Sequence, residues 1–192
     1  MTRHFLTPTL AAVLLAAPAF AQQASDTVAP EIATDVAAAF PGLSEAGRAA
    51  LAAKSAGESV IAQDWMVAAA HPMAVQAGAK VLNAGGTAAD AMVAVQAVLG
   101  LVEPQSSGLG GGAFLVWYDA ATGDITTLDG RETAPLAADP RYFQDDSGEP
   151  LDFRTAVVSG RSVGTPGTPR LMEDAHRRWG RANWAGLFTD AI

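Results

Sequence analysis

The stretch TAADAMVAVQAVLGLVEPQSSGLGGGAFLVWY, residues 87–118, decides the fold because it joins a helix to a strand through a run of glycines. Thr87 predicts a helix N-cap, with Asp90 three residues on in the capping-box position. From Ala88 to Val102 only two residues are polar, and a helix that is apolar all round is typically buried. Ala113–Tyr118 has the length and composition of a strand.

The glycines at 108 and 110–112 do not form a nucleotide-binding loop. A dinucleotide-binding fingerprint has a strand before its glycines and a helix after them, and here that order is reversed. A phosphate-binding loop also needs Lys and Ser or Thr after the last glycine, where Ala113 and Phe114 stand. We therefore expect close backbone packing at a tight passage from helix to strand, with a loop lining a substrate pocket as the alternative.

Further elements are predicted on both sides of this stretch from periodicity, caps and breakers. A second strand at Ile125–Asp129 follows a loop that contains Gly123, so a hairpin is the simplest connection. The other predicted elements are a helix at Asp35–Phe40, a helix at Ser44–Lys54 capped by Ser44, a buried strand at Met66–Ala70, a helix from Met73 that ends at Asn83–Gly86, a surface loop at 134–155, a strand at Val157–Val163, a helix at about Arg170–Trp179 and the start of an apolar helix at Leu187–Ile192.

The composition indicates a folded, acidic protein. Of the 192 residues, 49% are hydrophobic and 17% charged, which is enough apolar material for a core. A formal net charge of −8 disfavours nucleic acid and anionic membrane surfaces as partners. The chain has no cysteine, and its three histidines, His4, His71 and His176, lack metal-ligand spacing. We expect no metal and no cofactor.

The chain divides into three predicted regions. Residues 1–21 are typical of a signal peptide, with an apolar run too short to span a bilayer and a cleavage site near Ala21. This predicts a periplasmic or secreted protein without a stable membrane span. Residues 22–63 form a peripheral Ala-rich extension, and residues 64–192 form the body. Because the last helix has no terminator, we expect the chain to be truncated at Ile192.

Arg131 is the best candidate for a functional residue. It lies at the predicted end of a strand, behind a glycine, where a side chain is able to point into a cleft. Its planar guanidinium matches a carboxylate with two parallel hydrogen bonds, and the adjacent Glu132 is placed to orient it. The alternative is a surface ion pair. For His71 and His176 we expect a helix-start or core position and a solvated face, respectively, rather than catalysis.

Five motifs, taken in order, resemble the large-subunit part of the γ-glutamyltransferase family. They are MVAAAHP at 66–72, GGTAADA at 85–91, PQSSGLGGGAF at 104–114, DGRETAP at 129–135 and GTPG at 164–167. The resemblance covers roughly residues 64–192. It implies an α/β (α+β) architecture, the N-terminal nucleophile hydrolase αββα sandwich, present here only in part.

The resemblance also implies an activity. Such precursors cut themselves, and the new N-terminal threonine of the small subunit attacks the γ-glutamyl amide of glutathione or related compounds, with its own α-amino group as general base. Water or an amine acceptor then releases the glutamyl group. This nucleophile belongs beyond Ile192, so the chain carries no catalytic residue and is expected to be inactive alone. The small subunit is its implied partner, and no cofactor is implied.

Arg131 matches the family arginine that grips the α-carboxylate of the γ-glutamyl group. Gly130 precedes it where many family members carry an aromatic residue. Two alternatives to a glutathione hydrolase stay open: an acylase of the same fold that acts on glutaryl-type amides, and a truncated domain without catalytic function. Equal turnover of a substrate that lacks the α-amino group would favour the acylase.

Overall fold

The computed structural model describes residues 40–192, which lie within the unit Asp35–Ile192, one of two into which the chain divides. The predicted signal peptide at 1–21 and all but the last residue of the helix predicted at Asp35–Phe40 lie outside the described residues. The elements, in chain order, are α1 Glu45–Ser55, α2 Pro72–Asn83, α3 Ala88–Val102, α4 Pro104–Ser107, β1 Ala113–Tyr118, β2 Ile125–Gly130, α5 Phe153–Val157, a 3-10 helix at Gly160–Ser162, α6 Thr168–Trp179 and a 3-10 helix at Trp184–Ala191.

Helix α3 is the centre of the molecule, as its apolar sequence predicts. The capping box forms: Asp90 N donates to Thr87 Oγ1 at 3.2 Å, and Thr87 N donates to Asp90 Oδ2 at 2.8 Å. Helices α2 and α6 and the 3-10 helix at Trp184–Ala191 all pack against α3. The buried residues at these contacts are Ala74, Ala77, Val93, Ala94, Val98, Met172 and Leu187. The buried-helix prediction is confirmed.

Strands β1 and β2 form the predicted antiparallel hairpin, with Ala113 opposite Gly130 and Tyr118 opposite Ile125. Its turn closes with a hydrogen bond from Asp119 N to Asp124 O at 2.9 Å. Gly123 takes a φ of +79° in that turn, a conformation that glycine adopts at little cost. β2 runs one residue further than predicted, to Gly130.

The hairpin is covered on one face and open on the other. Helix α6 packs on the covered face, where Leu128, Leu171 and Ala175 form a buried cluster. Trp117 stacks on Trp179 of α6, with ring centroids 4.6 Å apart and planes at 4°. The opposite face exposes large apolar side chains, namely Phe114, Val116, Tyr118 and Ile125. This arrangement supplies one sheet with one helical layer within residues 40–192.

The predicted buried strand at Met66–Ala70 is wrong. The segment is irregular, and Met66 is 56% exposed. Within the described part of the chain β1 pairs only with β2, so this segment finds no neighbouring strand. An isolated extended segment gains no ladder of hydrogen bonds, whatever its apolar content.

The predicted strand at Val157–Val163 is also wrong. Its first residue ends α5, and a 3-10 helix follows at Gly160–Ser162. Asp152 Oδ1 accepts a hydrogen bond from Thr155 N at 3.1 Å, and the Ser159 side chain caps the 3-10 helix. These local caps favour helical turns over the extended conformation that the valines predicted.

The remaining helix predictions are confirmed in substance. Ser44 caps α1 by accepting from Gly47 N at 3.1 Å, and α2 ends before Gly85, whose φ is +85°. Helix α6 begins at Thr168, two residues before its predicted start. The apolar terminus lies in the 3-10 helix at Trp184–Ala191 rather than in an α-helix. No helix among residues 40–192 is long and apolar enough to cross a membrane.

Candidate functional site

Arg131 directly follows the last residue of β2. Its backbone N donates to Asp129 Oδ1 at 2.9 Å, which fixes the turn out of the strand. The side chain is 64% exposed, and its Nε lies 3.1 Å from Glu132 Oε1. This exposed ion pair fits both interpretations of Arg131 that the sequence left open.

The guanidinium retains binding capacity. Arginine presents five N–H donors in a planar fork, and the contact with Glu132 uses only Nε. Within residues 40–192 neither Nη atom of Arg131 donates a hydrogen bond. Because the side chain is 64% exposed, the N–H groups of the two Nη atoms are available for a carboxylate to bind bidentately.

Glu132 is more enclosed than Arg131. Its side chain is 32% exposed, and it lies against the backbone of Gly112, where a Cβ would overlap Glu132 Oε2 and N. The carboxylate is thus held between the Arg131 side chain and the glycine-rich loop. This placement is consistent with the expected role of Glu132 in orienting Arg131, which stays a prediction.

Residues 164–168 bind to both of these segments. Thr165 and Thr133 exchange backbone hydrogen bonds, with Thr165 N to Thr133 O at 2.8 Å and Thr133 N to Thr165 O at 3.3 Å. The carbonyl of Gly111 accepts from Gly167 N at 3.0 Å, from Thr168 N at 3.3 Å and from Thr168 Oγ1 at 3.2 Å. We call this meeting of residues 111–113, 129–133 and 164–168 the three-segment junction.

At this junction the glycine-rich loop lies against the start of α6 and the segment after β2. The first N–H groups of α6 bind the Gly111 carbonyl, so this helix terminus already has an acceptor in the chain. The expected close backbone packing is confirmed at Gly112, whereas a Cβ at Gly110 would meet nothing within 4 Å. The sequence did not single out Thr168 or the glycines at 164 and 167, although the GTPG motif was the available signal.

His71 and His176 lie away from this junction. His71 caps α2 by accepting from Met73 N at 3.2 Å, as a helix-start histidine should. The prediction of a solvated face for His176 is wrong, because its side chain is only 20% exposed and lies 3.4 Å from Asp90 Oδ1. Its Nε2 also lies 2.9 Å from Ala182 O, since the chain after α6 folds back over the ring.

Asp90 is a buried carboxylate that the sequence identified only as a cap. Besides the capping box, it accepts hydrogen bonds from Arg181 N at 3.1 Å and Ala182 N at 3.2 Å. Burial raises the pKa of this carboxyl, but the backbone N–H groups of Thr87, Arg181 and Ala182 outweigh it and hold the pKa below its ordinary value. Asp90 thereby ties the start of α3 to the segment after α6.

The described residues contain no group of three or more His, Cys, Asp or Glu side chains close enough to hold a metal ion. The charged side chains at the three-segment junction are Asp129, Arg131 and Glu132. An exposed guanidinium beside a carboxylate is chemically suited to bind and orient an anionic group.

Comparison with known proteins gives a consistent family. The family model described as Gamma-glutamyltranspeptidase matches residues 74–192. The glutathione hydrolase proenzyme of Bacillus subtilis strain 168 is 45% identical over 132 residues, which are 69% of this chain and 22% of that protein. The chain therefore spans about a fifth of the length of this curated relative.

Two solved structures have the same architecture. The γ-glutamyltranspeptidase of Helicobacter pylori has 34% identity and a TM-score of 0.62, and the match covers 69% of this chain and 38% of that one. The Pseudomonas nitroreducens γ-glutamyltranspeptidase complexed with L-DON has 34% identity and a TM-score of 0.61, over 68% and 38% of the two chains. The predicted N-terminal nucleophile hydrolase fold, present in part, is confirmed.

Proposed function

Because this chain belongs to the gamma-glutamyltranspeptidase family, we propose that it supplies the carboxylate-binding part of an exported glutathione hydrolase and γ-glutamyltransferase. The enzyme cleaves the γ-glutamyl amide of glutathione and related compounds. It passes the glutamyl group to water or to an amine acceptor. The supporting observation is Arg131, whose side chain is 64% exposed directly after β2 while its Nε lies 3.1 Å from Glu132 Oε1.

Arg131 binds the α-carboxylate of the γ-glutamyl group in this proposal. The Nη edge donates two parallel hydrogen bonds, which fix both the position and the orientation of the carboxylate. The Glu132 carboxylate forms an ion pair with Nε at 3.1 Å and restricts the rotation of the guanidinium. Holding the α-carboxylate places the γ-amide at a fixed distance from Arg131, where the reacting group of the enzyme attacks it.

The reacting group itself is proposed to be the N-terminal threonine of a small subunit made from the same precursor. Its hydroxyl attacks the γ-carbonyl and forms an ester with the glutamyl group, while its α-amino group takes the hydroxyl proton and returns a proton to the departing amine. Because the proposal places this threonine in the small subunit, we expect residues 1–192 alone to show no γ-glutamyl hydrolysis.

Export is proposed from residues 1–21, which have the pattern of a signal peptide cleaved near Ala21. Sequencing the N-terminus of the mature protein tests this directly. We expect the first residue to be Gln22. A mature protein that retains Met1 and the apolar run that follows would contradict the proposal.

Arg131→Ala in the full precursor tests the binding role. Loss of a charge-assisted bidentate contact should raise KM for a γ-glutamyl anilide by about 10-fold to 100-fold. Arg131→Lys should recover only part of that loss, because an ammonium group cannot form the planar fork. The control is Arg154→Ala on α5, an exposed arginine outside the three-segment junction. Unchanged KM in Arg131→Ala would remove Arg131 from the site.

We propose a γ-glutamyl rather than a glutaryl substrate because curated relatives of this chain are glutathione hydrolases, and the glycine at 130 does not argue against it. A Cβ at Gly130 would point at Leu171 of α6, 2.6 Å from its Cβ. The identity of this residue therefore governs the packing of α6 on the hairpin rather than the solvent side that Arg131 faces. Assays of γ-glutamyl and glutaryl anilides should show a clear preference for the former, and equal rates would favour the acylase.

A further inference from the structure

We infer that Gly112, Gly164 and Gly167 are positioning residues for the Arg131–Glu132 pair, which they enclose by bringing backbone against backbone. The inference rests on the proposed carboxylate-binding role of Arg131. It assigns a purpose to two glycine motifs, GLGGG at 108–112 and GTPG at 164–167, that the proposed chemistry does not otherwise use.

Gly112 lies directly against the backbone of Arg131 and Glu132. A Cβ on this residue would overlap both the backbone N and the Oε2 of Glu132, and it would lie 2.7 Å from Arg131 Cα. Carbon atoms do not approach one another this closely, so any side chain at 112 must displace the backbone of Arg131 and Glu132. Because the Glu132 carboxylate lies at the same point, its contact with Arg131 Nε would shift as well.

Gly167 lies against the backbone at the end of β2, next to Arg131. A Cβ there would overlap Gly130 O, and it would lie 2.6 Å from Gly130 C and 2.9 Å from Arg131 O. All of these are backbone atoms, which cannot rotate away as the end of a flexible side chain does. A substitution at 167 therefore moves either the end of β2 or the start of α6.

Gly164 lies against Thr133 and the Glu132 side chain, and its contacts are less tight than those of the other two glycines. A Cβ there would lie 2.9 Å from Thr133 O and 3.0 Å from Glu132 Cγ. The second of these atoms belongs to a side chain that has some freedom to yield. We therefore expect Gly164 to tolerate alanine better than the other two positions while still disturbing Glu132.

Backbone hydrogen bonds hold the segments that contain these glycines in place. The Gly111 carbonyl accepts from Gly167 N and Thr168 N at 3.0 and 3.3 Å, and Thr133 and Thr165 exchange two further bonds. Residues 111–113 and 164–168 are thus bonded to each other, and residues 164–168 also to residues 129–133, which contain the pair. The Arg131 side chain is exposed, whereas its backbone lies next to Gly112 and Gly167.

Two neighbouring glycines lack this role. A Cβ at Gly110 or at Gly160 would meet nothing within 4 Å, and neither residue has a positive φ. Gly110→Ala is therefore a matched control for Gly112→Ala within one loop. Gly160→Ala is the corresponding control for Gly164→Ala.

The test compares these four alanine variants in the full precursor, each with and without Arg131→Ala. In the wild-type background Gly112→Ala should raise KM for a γ-glutamyl anilide by about 10-fold, with a smaller change in kcat. Gly164→Ala should raise KM less, by about 3-fold. In the Arg131→Ala background they should change KM by less than about 2-fold, because the residue that they position is gone. Both controls should leave KM unchanged.

Other results would overturn the inference or the proposed function. Equal increases in KM with and without Arg131 would overturn the inference, since they indicate a general structural effect. The inference would also be overturned if Gly112→Ala and Gly164→Ala left KM unchanged, as the controls should. If Gly112→Ala fails to mature, Gly164→Ala decides the question. Unchanged KM in Arg131→Ala alone would instead refute the proposed function.

Discussion

Asp90 shows how one side chain joins parts of the chain that are far apart in sequence. Its carboxylate is fully buried, and it accepts backbone hydrogen bonds from Thr87, Arg181 and Ala182. His176 Nε2 faces the same carboxylate at 3.4 Å. A buried anion with this many donors is stabilised in its charged form, so removal of the charge leaves the donors poorly satisfied.

Asp90→Asn should lower the free energy of unfolding by about 2 to 3 kcal/mol. The asparagine amide would place its N–H₂ group against at least one of the backbone N–H groups that now donate to the carboxylate. Two donors cannot form a hydrogen bond with each other. The matched control is Asp152→Asn, because Asp152 caps the exposed helix α5 and asparagine caps helices equally well. Urea denaturation of both variants measures the difference. A loss for Asp90→Asn no larger than that of the control would contradict the prediction.

The pH dependence of stability follows from the same residue. The pKa of Asp90 lies below its ordinary value of 3.8 in the folded chain, so the folded state holds the charged form more strongly than the unfolded state does. Its contribution to stability is therefore complete above the unfolded pKa and is lost as the pH falls through the folded pKa. In Asp90→Asn the decline in stability below about pH 4 should be shallower, and urea midpoints between pH 2 and 6 measure it.

At the scale of elements, helices α2 and α3 cross at a glycine. A Cβ at Gly78 of α2 would lie 2.6 Å from Val95 Cγ2 of α3 and 3.1 Å from Val67 Cγ1. Valine is stiff about its first side-chain torsion, so Val95 cannot easily rotate away. The close approach of these two helices therefore depends on the absence of a side chain at position 78.

Gly78→Ala should destabilise the chain by about 1 to 3 kcal/mol through overpacking, although alanine is the better helix former by about 1 kcal/mol. The control is Gly100→Ala in α3, where the nearest atom to a Cβ is Ser107 O at 3.6 Å, an ordinary contact. That variant should be neutral or slightly stabilising. Thermal unfolding of the two variants gives the comparison, and stabilisation by Gly78→Ala would show that the crossing is loose.

At the scale of the whole molecule, the hairpin has a covered face and an open face. The open face carries Phe114, 66% exposed, and Val116, 72% exposed. Their neighbours Tyr118 and Ile125 are similarly exposed, so the apolar residues are contiguous rather than scattered. Contiguous exposed apolar surface on a sheet promotes association between copies.

The 192-residue chain should therefore associate at micromolar concentration and bind an apolar fluorescent dye. Phe114→Ser combined with Val116→Thr should reduce both effects, because it breaks the patch at its centre. Phe153→Ser is the control, since Phe153 is 83% exposed and lies outside that sheet face. Sedimentation velocity measures the association, and a monomeric wild-type chain that binds no dye would contradict the prediction.

The sequence by itself determined the elements whose signals are local. The capping box of Thr87 and Asp90, the turn at Gly123 and the apolar period of α3 each act over a few residues, so α3 and the hairpin were predicted almost to their ends. Arg131 was also singled out locally, as an arginine behind a glycine at the end of a strand. Its binding role came from the family resemblance and stays a proposal.

Only the tertiary structure decided which segments meet. The contact of Thr168 Oγ1 with Gly111 O joins residues 57 apart, and that of Arg181 N with Asp90 joins residues 91 apart. No local pattern encodes such distances, because they depend on how helices and strands pack. The same cause accounts for two of the three errors, since Met66–Ala70 lacks a strand partner and His176 is covered by the segment after α6. The third error, the strand at Val157–Val163, came from local caps that favour helical turns.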